Sequence, residues 1–174
     1  MQRADAAAPA GGSGGPGIKG TYVLDIEVCQ ELTVNVGRQG PHRFRRGHYY
    51  YVGSARAGIR ARVQRHLGHR RRLFWHVDYL LAAAGVRVQT IWVGGLHPGE
   101  CQVAHSLAAE VGLMEPVARF GAGDCGCPTH LFRVHSGTKR AAAMLAGLGL
   151  SACTPGMFAA GVQEDQEHTR DVDG

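Results

Sequence analysis

The chain has 174 residues, 44% of them hydrophobic, and a formal net charge of +5; that is enough for one domain with a real core. No secretory signal and no apolar run of about 18 residues occurs, which excludes a transmembrane helix, and with five scattered cysteines points to a reduced, cytoplasmic protein. Eleven of the nineteen Lys and Arg residues lie between Arg38 and Arg72, and no Asp or Glu occurs between Glu31 and Asp78. A field so concentrated favours a polyanion, nucleic acid first, over a merely solvated basic face. No amphipathic run joins this charge to large apolar residues, which argues against a membrane surface.

Residues 1–17 are mostly Ala, Gly, Ser and Pro, too poor in apolar side chains to offset ordering entropy, and read as a flexible tail. Folding is expected over 18–152. Tyr22, Leu24, Ile26 and Val28 alternate with Val23, Asp25 and Glu27 as in a half-buried strand, and Leu32, Val34 and Val36 repeat the pattern. His48 to Val52 reads as a strand with Tyr49 and Tyr51 on one face and Tyr50 on the other, broken by Gly53-Ser54. Ile59, Val63 and Leu67 form the stripe of a helix on which Arg62 and His66, four residues apart, share a face. Gly68 to Arg72 reads as a basic loop, and Phe74 to Ala84 as a second helix ended by Gly85. His76 on that helix suits a structural and a catalytic role equally. Val86, Val88, Thr90 and Trp92 alternate with Arg87, Gln89 and Ile91 in a third main strand.

Pro98 lies in the first turn of the next helix, where a missing N–H costs nothing. Glu100, Val103, Ala104, Leu107 and Val111 form its stripe, so the acid lies on the buried side, where a carboxylate needs a partner or a metal. Cys125, Cys127 and His130 stand at CxCxxH spacing and can supply three soft ligands for Zn²⁺, with Cys101 as a fourth if the fold brings it near. The alternatives are a redox pair and a tight Gly/Pro turn with buried thiols; the spacing, poorer than a CxxC knuckle, favours the turn. A short strand from Leu131 to Val134 and a helix from Thr138 to Leu150 follow, and 153–174 reads as a disordered acidic tail.

Gly20-Thr21-Tyr22, Tyr51-Val52-Gly53-Ser54, Arg62-Val63-x-x-His66 and Glu100 resemble, in that order, the motifs of the GIY-YIG endonuclease superfamily. Within it, GTYVL, YVGSA, RVQRHL, WHVDYLL and DCGCPTHLF look like the Uri-type branch, over roughly Ile18 to His135. The chain departs from the pattern in a longer segment between Tyr22 and Tyr51 and in an arginine placed one residue later, as an inserted hairpin and a longer turn would produce. The resemblance implies an α/β (α+β) domain, a central antiparallel sheet of about three main strands flanked by helices. It also implies a nuclease that needs Mg²⁺ or Mn²⁺ and cuts DNA, or RNA. Glu100 would hold the metal, Arg62 would contact the phosphate, and Tyr51 would orient the attacking water or, if deprotonated, take its proton. Tyr22 and His66 would orient Tyr51 and pass protons, with His76 a further candidate. Arg43, Arg45, Arg46, Ser54, Arg56, Arg60, Arg65, Arg70, Arg71 and Arg72 would contact nucleic acid, and Gly53 would let backbone approach it. No zinc finger or helix-turn-helix is appended, so such a domain would recognise a structure or be delivered by a repair or processing partner. The rival readings are a nucleic-acid-binding module that does not cleave and a metal-stabilised interaction domain.

Overall fold

A computed structural model describes residues 18–68, 72–110, 112–135 and 138–159; the expected tail 1–17, Arg70, Arg71, Val111 and residues 160–174 lie outside them. The centre is β1 (Gly20–Val28), flanked by β4 (Gly47–Ala55) and β5 (Val86–Val93), all antiparallel. Beyond β4 come β7 (Leu131–Val134) and β6 (Met114–Pro116), and beyond β5 comes β8 (Ser151–Cys153). The sheet thus has six strands rather than about three, because β6 and β8 are three residues long, too short to show a period of two. β2 (Leu32–Asn35) and β3 (Pro41–Phe44) form a separate hairpin, the segment inserted between the two tyrosine strands.

Both sheet faces are covered. Tyr22, Leu24, Ile26, Tyr49 and Tyr51 pack with Ile59 and Val63 of α1 (Ile59–Leu67) and with Val77 and Leu80 of α2 (His76–Leu81). Val23, Tyr50, Val52 and Trp92 pack with Val103 and Leu107 of α3 (Glu100–Ala109) and with Ala141 and Leu145 of α4 (Thr138–Gly147). The alternation expected of the tyrosines in β4 is therefore observed, whereas β1, expected half-buried, is buried along nearly its whole length. Its Asp25 keeps a partner in His48, whose Nδ1 lies 2.8 Å from Oδ1. Gly53-Ser54 does not break β4, which continues to Ala55.

In β5 the pairing slips, so that Thr90 faces Asp25 but Val88 faces Ile26. The extra residue, Gln89, makes a bulge that puts Val86 and Val88 on the side of Ile91 and Val93, with Trp92 opposite. The unbroken alternation read from Val86 to Trp92 is corrected accordingly. α2 is shorter than 74–84 because the Asp78 carboxylate accepts the N–H groups of Phe74 and Trp75 and sets its start. α4 stops at Gly147, short of Leu150. At the other end, Cys153 belongs to β8, and Phe158, in the 3₁₀ turn Pro155–Phe158, is buried against the first core, so the described fold runs past 152 to Ala159. Among the described residues no helix is long and apolar enough to cross a membrane.

Candidate functional site at one end of the sheet

In the β1–β4 register Tyr22 lies opposite Gly53 and Leu24 opposite Tyr51, which puts both phenols on one face, one step apart. The Tyr22 ring lies on Gly53: a Cβ there would stand 2.4 Å from Tyr22 Cζ. Gly53 therefore makes room for the Tyr22 ring. Gly53→Ala should force the ring away, cost about 1–3 kcal/mol and break the Tyr22 hydrogen bond described next; urea denaturation and the imidazole NMR signals of His66 would register both.

The Tyr22 hydroxyl is 2.9 Å from His66 Nε2, and His66 Nδ1 is 3.2 Å from Asp78 Oδ1. A carboxylate at Nδ1 keeps the proton there, so Nε2 accepts and Tyr22 donates. Asp78 is fully buried and also receives both arms of the Arg65 guanidinium at 3.0 Å. Burial alone would raise its pKa, but the bonds from His66, Arg65, Trp75 and Phe74 hold it well below the usual carboxylate range. Sequence reading missed Asp78 as a site residue. The available signal was an acid between the core-facing Val77 and Leu80, the first after a long acid-free window. Burial lowers the His66 pKa against the pull of Asp78, which leaves the imidazole neutral near pH 7.

Burial, and next the Glu100 charge, push the Tyr51 phenol up from its ordinary value, outweighing Arg62. The downward shift that a phenolate base would require is the opposite of what its surroundings impose. Tyr51 is held edge-on between the rings of His66 and Phe120.

Glu100 opens α3 and comes from the other face of the sheet. Its Oε2 accepts the Ser54 hydroxyl at 2.5 Å, so Ser54, expected on nucleic acid, holds the carboxylate in this structure. Its Oε1 lies 2.9 Å from His130 Nδ1, a charge contact whose alignment falls short of a hydrogen bond. Burial would raise the Glu100 pKa, but His130, Ser54 and Arg62 bring it below the ordinary value. The side chain keeps 26% exposure, in a cleft of about 330 Å³ lined by Thr21, Ser54, Arg56, Gly99 and Gln102. A carboxylate offers about four lone-pair sites. Ser54 and His130 engage two, and the remainder, facing the cleft, fit a Mg²⁺ that draws its other ligands from water and phosphate. The Nε2 edge of His130 points away from Glu100, toward Cys125 Sγ at 3.4 Å.

Arg62 stacks on Trp75, its Cζ 3.9 Å from the ring centroid, and no carboxylate among the described residues pairs with it. Among the described residues, the other basic side chains do not form one face. Arg65 is committed to Asp78 and to the Arg72 carbonyl, Arg43 to Glu31, and Arg60 to the Met157 carbonyl. Glu31 and Asp78, the acids that bound the acid-free window, thus fold back onto its arginines. Arg45 and Arg46 precede β4 and Arg56 follows it, so its nine residues separate them by about 30 Å. Arg56 and Arg72 are exposed, and Arg56 lines the Glu100 cleft. His76 Nδ1 accepts the Gly121 N–H at 3.0 Å, a structural bond that holds the turn against which Tyr51 and His130 pack.

A buried acid–imidazole–phenol chain, Asp78–His66–Tyr22, and a separate cleft carboxylate, Glu100, define a polar centre on a mixed α/β scaffold with a six-stranded antiparallel sheet. The protein belongs to the family described as a domain of unknown function, DUF123, whose model matches residues 21–149. No curated protein and no solved structure matches the chain.

Proposed function

We propose that this domain is a GIY-YIG-like, Uri-type endonuclease that hydrolyses phosphodiester bonds in DNA with a divalent metal, and that it acts on a DNA structure or is delivered by a repair or processing partner. The observation that carries this reading is the convergence, at one sheet end, of side chains from β1, β4, α1 and α3 in roles that the reaction requires. Arg62, permanently charged and with no carboxylate paired to it among the described residues, donates to the non-bridging phosphate oxygens. Tyr51, a neutral phenol, orients the attacking water. Tyr22 takes a proton from that water as it hands its own to His66 Nε2, and Asp78 stabilises the imidazolium that results. Held by Glu100, Mg²⁺ or Mn²⁺ would supply charge neutralisation at the phosphate.

The test is incubation of the purified chain with single-stranded, duplex, flap and branched DNA and RNA, with Mg²⁺ or EDTA. Cutting that EDTA abolishes is expected on at least one DNA. Arg62→Ala should lower the rate on that substrate by about a hundredfold or more, as loss of one oxyanion donor does. Salt-sensitive binding with no cutting on any substrate would replace this reading with that of a non-catalytic nucleic-acid-binding module.

A further inference from the structure

We propose that Cys101, Cys125, Cys127 and His130 bind a single zinc ion and that Glu100 holds the liganding histidine from behind. This goes beyond the nuclease reading and stands without it. Cys101 rides on the first turn of α3, while Cys125, Cys127 and His130 come from the segment between β6 and β7, yet the four ligand atoms all lie within 4.8 Å of one another. Tetrahedral zinc, with Zn–S about 2.3 Å and Zn–N about 2.0 Å, has edges of about 3.8 Å between sulfurs and about 3.5 Å from sulfur to nitrogen. The 3.4 Å from Cys125 Sγ to His130 Nε2 is already close to such an edge, and the other pairs need to close by about an ångström at most. All three cysteines are free thiols. Three thiolates and an imidazole select zinc over magnesium or calcium. A set this compact surrounds one ion, whereas an iron–sulfur cluster spreads its ligands over two or more metals.

The segment is positioned by bonds that do not involve the cysteines. The Thr129 hydroxyl donates to the Val117 carbonyl and accepts the Leu131 N–H, and the His130 N–H donates to the Phe120 carbonyl at 2.7 Å. Between Gly121 and Pro128 only Cys127 is buried, so these residues draw little stabilisation from the core. An ion joining them to α3 supplies what apolar burial does not. Four protein ligands leave no open position, the pattern of a structural site. With Nε2 toward the ion and Nδ1 2.9 Å from Glu100, His130 needs only a small reorientation of its ring to complete the carboxylate–histidine–metal arrangement in which the carboxylate fixes ring orientation. The ion would therefore position Glu100 as well as the loop.

Zinc in the full chain, purified without chelator, should measure one per chain by atomic mass spectrometry. Metal-free protein kept reduced and titrated with Co²⁺ should give the intense visible bands of tetrahedral cobalt and a thiolate charge-transfer band. Cys127→Ser should weaken the charge-transfer band and lower zinc affinity. Glu100→Gln should keep the tetrahedral spectrum but bind zinc about 10–100-fold more weakly. Metal-free protein with no tetrahedral cobalt spectrum, an iron–sulfur chromophore in the isolated chain, or a spectrum unchanged in both Cys125→Ser and Cys127→Ser would overturn the proposal. If the serine variants fail to fold, the parent chain's cobalt spectrum decides alone. None of these readouts uses nuclease activity, so this site can fail while the nuclease reading survives, and the reverse.

Discussion

Glu100→Ala is expected to bind DNA as the parent chain does and to cut it at least about a thousandfold more slowly, since it removes the only carboxylate among the described residues that lines the cleft and can hold the divalent ion. The same side chain also meets Ser54 and His130, so the variant needs a second readout. Cleavage lost with zinc content unchanged would assign Glu100 to the reacting phosphate. Cleavage and zinc lost together would mean that its effect passes through His130. Addition of excess zinc separates the cases, because it can refill the cysteine site but cannot replace the missing carboxylate. Cutting at the parent rate by a variant with normal metal content would remove Glu100 from the proposed chemistry.

Asp78→Ala should carry the largest stability loss of any substitution considered, about 3–5 kcal/mol in urea denaturation, because it strands a buried imidazole, a guanidinium and two backbone N–H groups at once. Asp78→Asn keeps the side-chain volume and part of the accepting capacity and should cost less. The sign of the pH dependence follows from the same contacts. The folded carboxyl is held below its ordinary 3.8, so its contribution is complete above that value and is lost as pH falls through the folded pKa. The folded pKa of His66 is also depressed, from 6.5, so acid favours the unfolded chain there too: stability should decline as pH falls below 6.5, through His66, and also below 3.8, through Asp78. In Asp78→Ala the lower limb should shrink. A loss under about 1 kcal/mol would show that the neighbours re-pair with little cost. Cleavage should also fall in both variants, because His66 would lose the group that fixes its proton on Nδ1.

Local periodicity was sufficient to read several parts of this molecule from the sequence. The stripe Ile59, Val63 and Leu67, the division of Tyr49 and Tyr51 from Tyr50, and the helix that begins at Glu100 each depend on residues within a turn or a pleat of one another. The soft-ligand set was legible by residue type, but that Cys101 joins it was not, because 24 positions separate it from Cys125 and only the packing of α3 beside the last loop brings them together. The Gln89 bulge and the attachment of Ser54 to Glu100 were not legible for the same reason. The partners lie far apart along the chain, 44 positions for Tyr22 and His66 and 46 for Ser54 and Glu100. The cluster of arginines shows the converse. Neighbours in sequence are carried to opposite ends of β4, and the acids that bound their window return to neutralise two of them. Sequence determines which way a side chain faces within its own element. Which groups meet is decided where elements pack, since burial obliges every charge and hydrogen-bonding group to find its partner across the fold.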